Sequence, residues 1–338
     1  MTGRDRIMSA VRGRDFGRRA FMPISMSLAA DEIGAKYRVY ATEWRIQAEG
    51  QLAFAEAFGA DQVSAISDPG VEASDLGAPL IVPEDEPASL DESRSLLAEK
   101  DGFARIAEGG VGRFGPRMEN RLDAVSGLSA ASRGERMVEG WVEGPCAEAA
   151  DLRGLSRFML DLYDDPGFAR GLLDFVTERA IAFALAQVAV GAEMIGVGDA
   201  ASSLIGPELF GDFVLERHRR YVQAIHGSGA LARLHICGDT RPLVGQIAAL
   251  GYDIVDLDSM VGLAEARAAA GPRQVFCGNL DPVRALRCGT PASVAAALEA
   301  CAGEAGGAWI VGAGCEIPRG TPRENILEMS DFAAGRRG

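Results

Sequence analysis

Positive charge, histidine and cysteine are all scarce in this sequence. Thirty-four Lys and Arg stand against 48 Asp and Glu, a net charge of −14, which opposes broad attraction to a nucleic-acid backbone or an anionic membrane. No apolar run approaches the ~20 residues that a membrane helix needs, and no charged-then-apolar leader is seen, so a cytoplasmic location is expected. Six cysteines lie at 146, 237, 277, 288, 301 and 315. They are too few and too scattered for a disulfide framework, and in a reducing compartment they are thiols or metal ligands. The first nineteen residues carry six arginines, but Asp5 and Asp15 interrupt them, which favours a short helical extension over about residues 1–20 rather than a transit peptide.

What is present describes a globular enzyme-sized chain. Its 338 residues are 48% hydrophobic, 24% charged and include 42 glycines, enough for a substantial core in either one large barrel or two ordinary domains. Short apolar runs alternate with long helical stretches, the pattern of a parallel sheet with crossover helices. The expected strands are Ile24 to Leu28, Gln62 to Ser67, Val138 to Val142, Met194 to Val197, Leu231 to Cys237, Ile254 to Leu257, Gln274 to Cys277 and Ala308 to Val311. Helices are expected at Glu43 to Phe58, Pro166 to Val190, Pro207 to His226, Arg241 to Leu250, Gly262 to Ala270 and Pro291 to Ala302. Eight strands in one domain length favour an α/β fold closed as a (β/α)8 TIM barrel over an open sheet, a single domain across residues 1–338. Residues of about 84–134, opening on Pro83-Glu84-Asp85-Glu86-Pro87, read as an elaborated loop over the barrel mouth.

The sharpest local signal is Leu234-His235-Ile236-Cys237-Gly238-Asp239-Thr240, at the end of a strand and before a helix. Residues two apart on a strand share a side, so His235 and Cys237 can converge on one ion at the carboxyl end of a barrel strand, where such sites are built. Imidazole and thiolate suit zinc, and Cys315, in Gly312-Ala313-Gly314-Cys315-Glu316-Ile317-Pro318, offers a third ligand just beyond the last expected strand. The competing reading makes His235 a satisfied core histidine and the cysteines small core hydrophobes. A second Gly-Cys segment placed after a strand favours the metal.

Other polar residues at strand ends are candidates of lesser weight. Asp199 could supply an oxygen ligand or orient His235, or merely cap a helix. Glu143, before Gly144-Pro145, and Asp68 are candidate catalytic carboxylates; Glu72, Asn279 and Asp281 are candidate cofactor-binding residues, although Asp281 before Pro282 also reads as a loop-fixing residue. Cys277 is the rival metal ligand, its place inside a strand favouring packing, and Cys146, Cys288 and Cys301 read as structural. His218 and His226, among Arg217, Arg219 and Arg220, read as a solvated helix face.

Taken together, His235-Ile236-Cys237-Gly238-Asp239-Thr240, Cys277-Gly278-Asn279-Leu280-Asp281-Pro282 and Gly314-Cys315-Glu316-Ile317-Pro318 resemble the uroporphyrinogen decarboxylase superfamily, and within it the methylcobamide:coenzyme M methyltransferase branch. Phe58-Gly59-Ala60-Asp61 and Ser67-Asp68-Pro69-Gly70-Val71-Glu72-Ala73 extend the resemblance upstream. It implies a barrel fold, zinc held by His235, Cys237 and Cys315, and methyl transfer between a corrinoid and another substrate. The decarboxylases proper have an arginine-rich segment where this chain reads Pro23-Ile24-Ser25-Met26-Ser27-Leu28, which disfavours porphyrinogen decarboxylation.

The implied chemistry is thiol activation: coordination to zinc strips the thiol proton, and the resulting sulfur attacks an electrophilic methyl on cobalt. None of the three histidines stands in the Asp-x-His-x-x-Gly context of corrinoid-binding modules, so the methylcobamide is expected on a partner, a corrinoid carrier protein. The thiol acceptor is of the coenzyme M type. Transfer in the other direction, from a methylated amine or ether, a folate acceptor, a metal-free decarboxylase and a non-catalytic corrinoid- or tetrapyrrole-binding protein are the alternatives. Neither nucleic acid nor membrane is expected as a partner.

Overall fold

The computed structural model describes residues 1–14 and 17–336. Its main sheet has seven strands, all parallel: β1 (Gln62–Ser64), β4 (Met137–Glu143), β5 (Met194–Gly198), β6 (Leu231–His235), β7 (Ile254–Leu257), β8 (Val275–Gly278) and β9 (Trp309–Ile310), neighbours in that order. β2 (Leu80–Ile81) and β3 (Ser89–Leu90) form a separate antiparallel pair. The strand ring is completed by residues 20–22. Phe21 bridges Val311 in parallel, Met22 N–H donates to Val311 O at 2.9 Å, and on the other side Asp61 N–H donates to Phe21 O at 2.9 Å. Eight staves therefore close a TIM barrel, each followed by helix, as the alternation predicts.

The first stave is not the expected Ile24 to Leu28. Pro23 has no amide hydrogen to continue the ladder, and the chain turns instead into helix Ser27–Glu32. The span 84–134 is likewise only partly a loop. Gly115 and Pro116 start the seventeen-residue helix Pro116–Ser132 with proline at a position where its missing N–H costs nothing, and that helix packs on β4 and on helix Trp44–Phe58 as the crossover between β1 and β4. Buried Arg121 in the middle of its apolar face hid the pattern. The expected helix Pro207 to His226 is divided, with a wide turn at Phe210–Val214 before Leu215–Gly227.

Helix Gly3–Val11, its first turn capped reciprocally by Thr2 and Asp5, closes the amino end of the barrel. Ile7 is fully buried there against Ala20, Met22, Met137, Met194, Ile254, Val275 and Ile310; burial of that one side chain contributes ~1.5–3 kcal/mol. The larger core lies between the strands and the helices around them. No helix among the described residues is long and apolar enough to cross a membrane.

Candidate metal centre

Inside the barrel, above the apolar plug, the strands carry charge. Arg233 on β6 is 1% exposed and donates to Asp256 on β7 at 2.9 Å, to Glu139 on β4 at 3.0 Å and to Gln62 on β1 at 3.1 Å. A guanidinium this deep is tolerable only because its hydrogens meet acceptors from three strands. Burial alone would raise the Asp256 carboxyl, but the Arg233 charge and a hydrogen bond from His235 outweigh it and hold the group below its ordinary value.

One layer further toward the carboxyl end stands His235. Its Nδ1 lies 2.9 Å from Asp256 Oδ2, which assigns the proton to Nδ1 and leaves the Nε2 lone pair for a metal. Nε2 is 2.9 Å from Cys237 Sγ and 3.7 Å from Cys315 Sγ, and the two sulfurs are 3.5 Å apart. Tetrahedral zinc with bonds of ~2.3 Å to sulfur and ~2.0 Å to nitrogen needs S···S of ~3.8 Å and N···S of ~3.5 Å. Two of the three edges agree to a few tenths of an ångström, and the His235–Cys237 edge is shorter because a hydrogen bond joins the pair. Among the described residues this is the one group of three or more His, Cys, Asp or Glu side chains whose ligand atoms converge within 4.8 Å. Its donor set fits zinc.

The two sulfurs lie within hydrogen-bond reach of each other. Cys315 is pushed down to about 4, first by the hydrogen bond from Cys237 and then by His235. The same bond pushes Cys237 up. Burial opposes charge on His235, yet the Cys237 sulfur and Asp256 raise it well above its ordinary value. A cation entering between the three ligand atoms would take the place of the protons that now join His235, Cys237 and Cys315.

Local sequence explains how the ligands meet. Cys237 lies two residues past the end of β6, in a turn pinned by Gly238 N–H donating to Asp258 Oδ2 at 2.9 Å. Asp258 also receives Met260 N–H at 3.0 Å, so the loop after β7 is tied to the loop after β6. Cys315 reaches the same place because Gly314 touches that β7 loop: a Cβ at 314 would lie 2.5 Å from Ser259 N. On the opposite side Trp141 packs against the imidazole, ring centroids 6.2 Å apart. Its indole occupies space opened by Gly196, where a Cβ would come within 2.3 Å of the ring.

The remaining candidate residues are placed elsewhere. Asp199 does not face His235. Its Oδ1 takes Ala147 N–H at 2.7 Å and its Oδ2 takes Ser202 Oγ at 2.5 Å and His218 Nε2 at 2.9 Å; its link to the centre is its own N–H, which donates to His235 O at 2.9 Å. His218 is fully buried and bonded also to Tyr252 at 2.8 Å, so the expectation of a solvated face holds for His226 and fails for His218. Asp68 is clamped at both oxygens by Arg117, at 3.0 and 2.6 Å. Glu143 receives Trp141 Nε1–H at 3.2 Å, and Glu72 receives the Glu143 N–H at 2.9 Å. Asn279 donates to Val261 O and Asp258 O. Asp281 caps the turn at Val283 and Arg284. Cys277 is buried inside β8, its sulfur 3.7 Å from Met22 O, apart from the ligand triad.

Asp256, Arg233, Asp258 and Trp141 escaped the sequence reading. A signal existed for the first three: Arg233, His235 and Cys237, like Asp256 and Asp258, alternate with apolar residues, a period of two that turns all of them to one side.

Comparison with known proteins bears on the fold and the family. A methyltransferase from Methanosarcina mazei superposes with a TM-score of 0.83 at 22% identity, over 99% of this chain and 98% of that one; the likeness carries the fold. In sequence, the methylcobamide:CoM methyltransferase MtbA of Methanosarcina mazei is 30% identical over 270 residues, 79% of this chain and 75% of the relative. A uroporphyrinogen decarboxylase of Nocardia farcinica is 33% identical over 156 residues, 46% of this chain and 43% of that enzyme. Both of these relatives are enzymes, and residues 2–335 match the family described as uroporphyrinogen decarboxylase. With nearly its whole length matched, the chain belongs to the uroporphyrinogen decarboxylase (URO-D) family.

Proposed function

We propose that the protein is a zinc-dependent methyltransferase that moves a methyl group from a corrinoid, carried by a partner protein, to the sulfur of a small thiol of the coenzyme M type. The observation that carries this reading is the convergence of His235, Cys237 and Cys315 at the carboxyl end of the barrel, with Asp256 fixing the imidazole. His235, Cys237 and Cys315 would hold the zinc, which would supply the Lewis acidity that turns a thiol, its proton lost to solvent, into a nucleophilic sulfur. A sulfur activated in this way would accept the methyl group, and the corrinoid cobalt would keep the electron pair of the bond it gives up. The protein's own groups hold the donors in place. Asp256 and Arg233 keep the imidazole tautomer, Asp258 holds the Cys237 turn, and the Trp141 ring shields the imidazole from water. Relatives named for methyl transfer from methylcobamide support this direction over the reverse. The two thiols beside one imidazole support a metal-using transferase over a metal-free decarboxylase.

Purified protein is expected to hold about one zinc per chain by elemental analysis, and Cys237→Ala or Cys315→Ala to lose most of it. Methylcobalamin mixed with a thiol should show zinc-dependent demethylation in the corrin absorption spectrum. Full zinc and turnover in both cysteine variants would overturn the assignment of the centre. Methylation of cobalt(I) by a methylated donor, with no thiol-dependent change, would reverse the direction.

A further inference from the structure

The two sulfurs of the candidate metal centre are placed for each other as well as for an ion. Cys237 Sγ and Cys315 Sγ lie 3.5 Å apart, although 78 positions separate them in the chain. A disulfide spans about 2.05 Å, so the gap to close is about 1.5 Å, shared between χ1 rotations of two side chains. The loops that carry them are held. The Cys237 turn is pinned by Gly238 N–H on Asp258, and the Cys315 loop is packed at Gly314 on Ser259. Just beyond, Glu316 Oε1 takes Ser27 N–H at 2.7 Å and Ile317 N–H donates to Ile24 O at 3.0 Å. Sulfurs fixed face to face in this way meet at high effective concentration.

The other four cysteines are placed differently. Cys146 and Cys277 are buried, Cys288 is exposed, and Cys301 is half-buried with its sulfur 3.6 Å from Asn279 Oδ1. Among the described residues no other two cysteine sulfurs are within hydrogen-bond reach of each other. Cys237 and Cys315 are both half-buried, so a small oxidant reaches them. His235 Nε2, 2.9 Å from one sulfur and 3.7 Å from the other, is near enough to both to move a proton.

We propose that Cys237 and Cys315 form a reversible redox pair that closes to a disulfide under peroxide, and that its closing removes the centre's capacity for metal. The second clause rests on the zinc reading above; the first does not. In the first step the peroxide O–O bond breaks, one oxygen joins one sulfur as a sulfenic acid, and the other leaves as water. In the second, the remaining thiol gives its proton to His235 Nε2 and its sulfur attacks. The S–S bond forms, the S–O bond breaks, and the departing hydroxide takes the proton back from His235 to leave as water. Two thiols and one peroxide thus give a disulfide and two waters. Neither sulfur then carries thiolate charge for a cation, and His235 is left as the one intact donor. Such regulation suits the proposed reaction, because a transfer that leaves an electron pair on cobalt needs reducing surroundings.

The test uses the full chain carrying Cys288→Ser, which removes the exposed thiol as a source of links between molecules. The protein is stripped of metal with a chelator and treated with hydrogen peroxide. Thiol titration in denaturant should fall by two per chain, and digestion should yield the peptides of Cys237 and Cys315 joined to each other. The oxidised protein should take up no zinc until a phosphine reductant restores both thiols. Zinc added before the peroxide should slow the loss at least about tenfold, because coordination occupies both sulfurs. With Cys315→Ser added, and a thermal midpoint showing that the chain is folded, no joined peptide should form and dimedone should trap Cys237 as its sulfenic acid. Three results overturn the proposal: an unchanged thiol count; loss at Cys146, Cys277 or Cys301 in place of the pair; or equal zinc uptake by oxidised and reduced protein. A pair that closes and reopens in a chain whose reduced form takes up no zinc would sink the zinc reading and leave the redox pair standing.

Discussion

Asp256 has two obligations: it receives a hydrogen bond from His235 Nδ1 and an ion pair from Arg233. Its carboxylate is therefore ionised inside the barrel, where it makes the imidazole a better donor to a metal. Asp256→Asn keeps the shape and removes the charge. It also leaves Arg233 with Glu139 as its one remaining carboxylate partner. Zinc affinity, measured by competition with a chromogenic chelator, should fall about 10–100-fold, and the chain should lose stability on the order of 3–5 kcal/mol, the usual result of breaking a buried pair from one side. An unchanged affinity would mean that Asp256 serves Arg233 alone.

At the scale of elements, the candidate metal centre is a meeting of three loops, after β6, β7 and β9. Gly314 sets the last of these against the second, with no room for a side chain. Gly314→Ala should push Cys315 away from Cys237, lowering zinc occupancy to less than half by elemental analysis while β6, and with it His235 and Cys237, keeps its place. Much of this arrangement was legible in the sequence. The strand runs at Met194 and Val275 are continuous apolar segments because both faces of a barrel strand are buried, those at Leu231 and Ile254 are apolar runs broken by the charged residues of the barrel interior, and the three candidate ligands stand at or just beyond strand ends, where a barrel puts its chemistry. The rest was hidden for physical reasons. A first stave reduced to residues 20–22 leaves too short a run to recognise beside Pro23. Helix Pro116–Ser132 buries Arg121, whose guanidinium is bonded to Trp141 O at 3.1 Å, so its apolar stripe is broken in sequence and whole in space. His218 falls at the spacing of Tyr221, Val222 and Ile225, all buried, and the neighbouring arginines masked that register. Asp199 is turned from His235 by its bond to His218, a pairing across nineteen residues that no local pattern announces.

For the molecule as a whole, buried acid governs the response to pH. Glu143 and Glu148, 5% and 2% exposed, are both raised well above the ordinary 4.5, first by burial and then by Glu72 and Asp151 nearby. Neither oxygen of Glu148 has a hydrogen-bond partner among the described residues. The folded chain keeps these protons at pH values where the unfolded chain has lost them. Their contribution is therefore complete below about pH 4.5 and is lost as pH rises through the folded-state values. Stability should decline from about pH 5 upward by about 1.4 kcal/mol per pH unit for each such proton. Glu148→Gln, neutral and close in shape, should make the fall shallower by one proton. Denaturant midpoints between pH 5 and pH 9 measure this, and parallel curves for the two proteins would show that Glu148 is ionised when folded.

The thin stave at residues 20–22 gives the metal a mechanical meaning. β9 has two residues, and next to it the ring is joined by the bridge of Phe21 to Val311. Cys315 leaves that junction and meets His235 and Cys237 beyond β6, three staves away in the sheet order. An ion gripping all three is a chord across the ring, a cross-link between residues 78 positions apart. By the measure used for covalent links of that span, such a tether is worth on the order of 4 kcal/mol against the open chain. Emptying the chord would loosen the last stave from β6 at the carboxyl end of the barrel, so an ion proposed to activate a thiol there would also serve as a clasp across the ring.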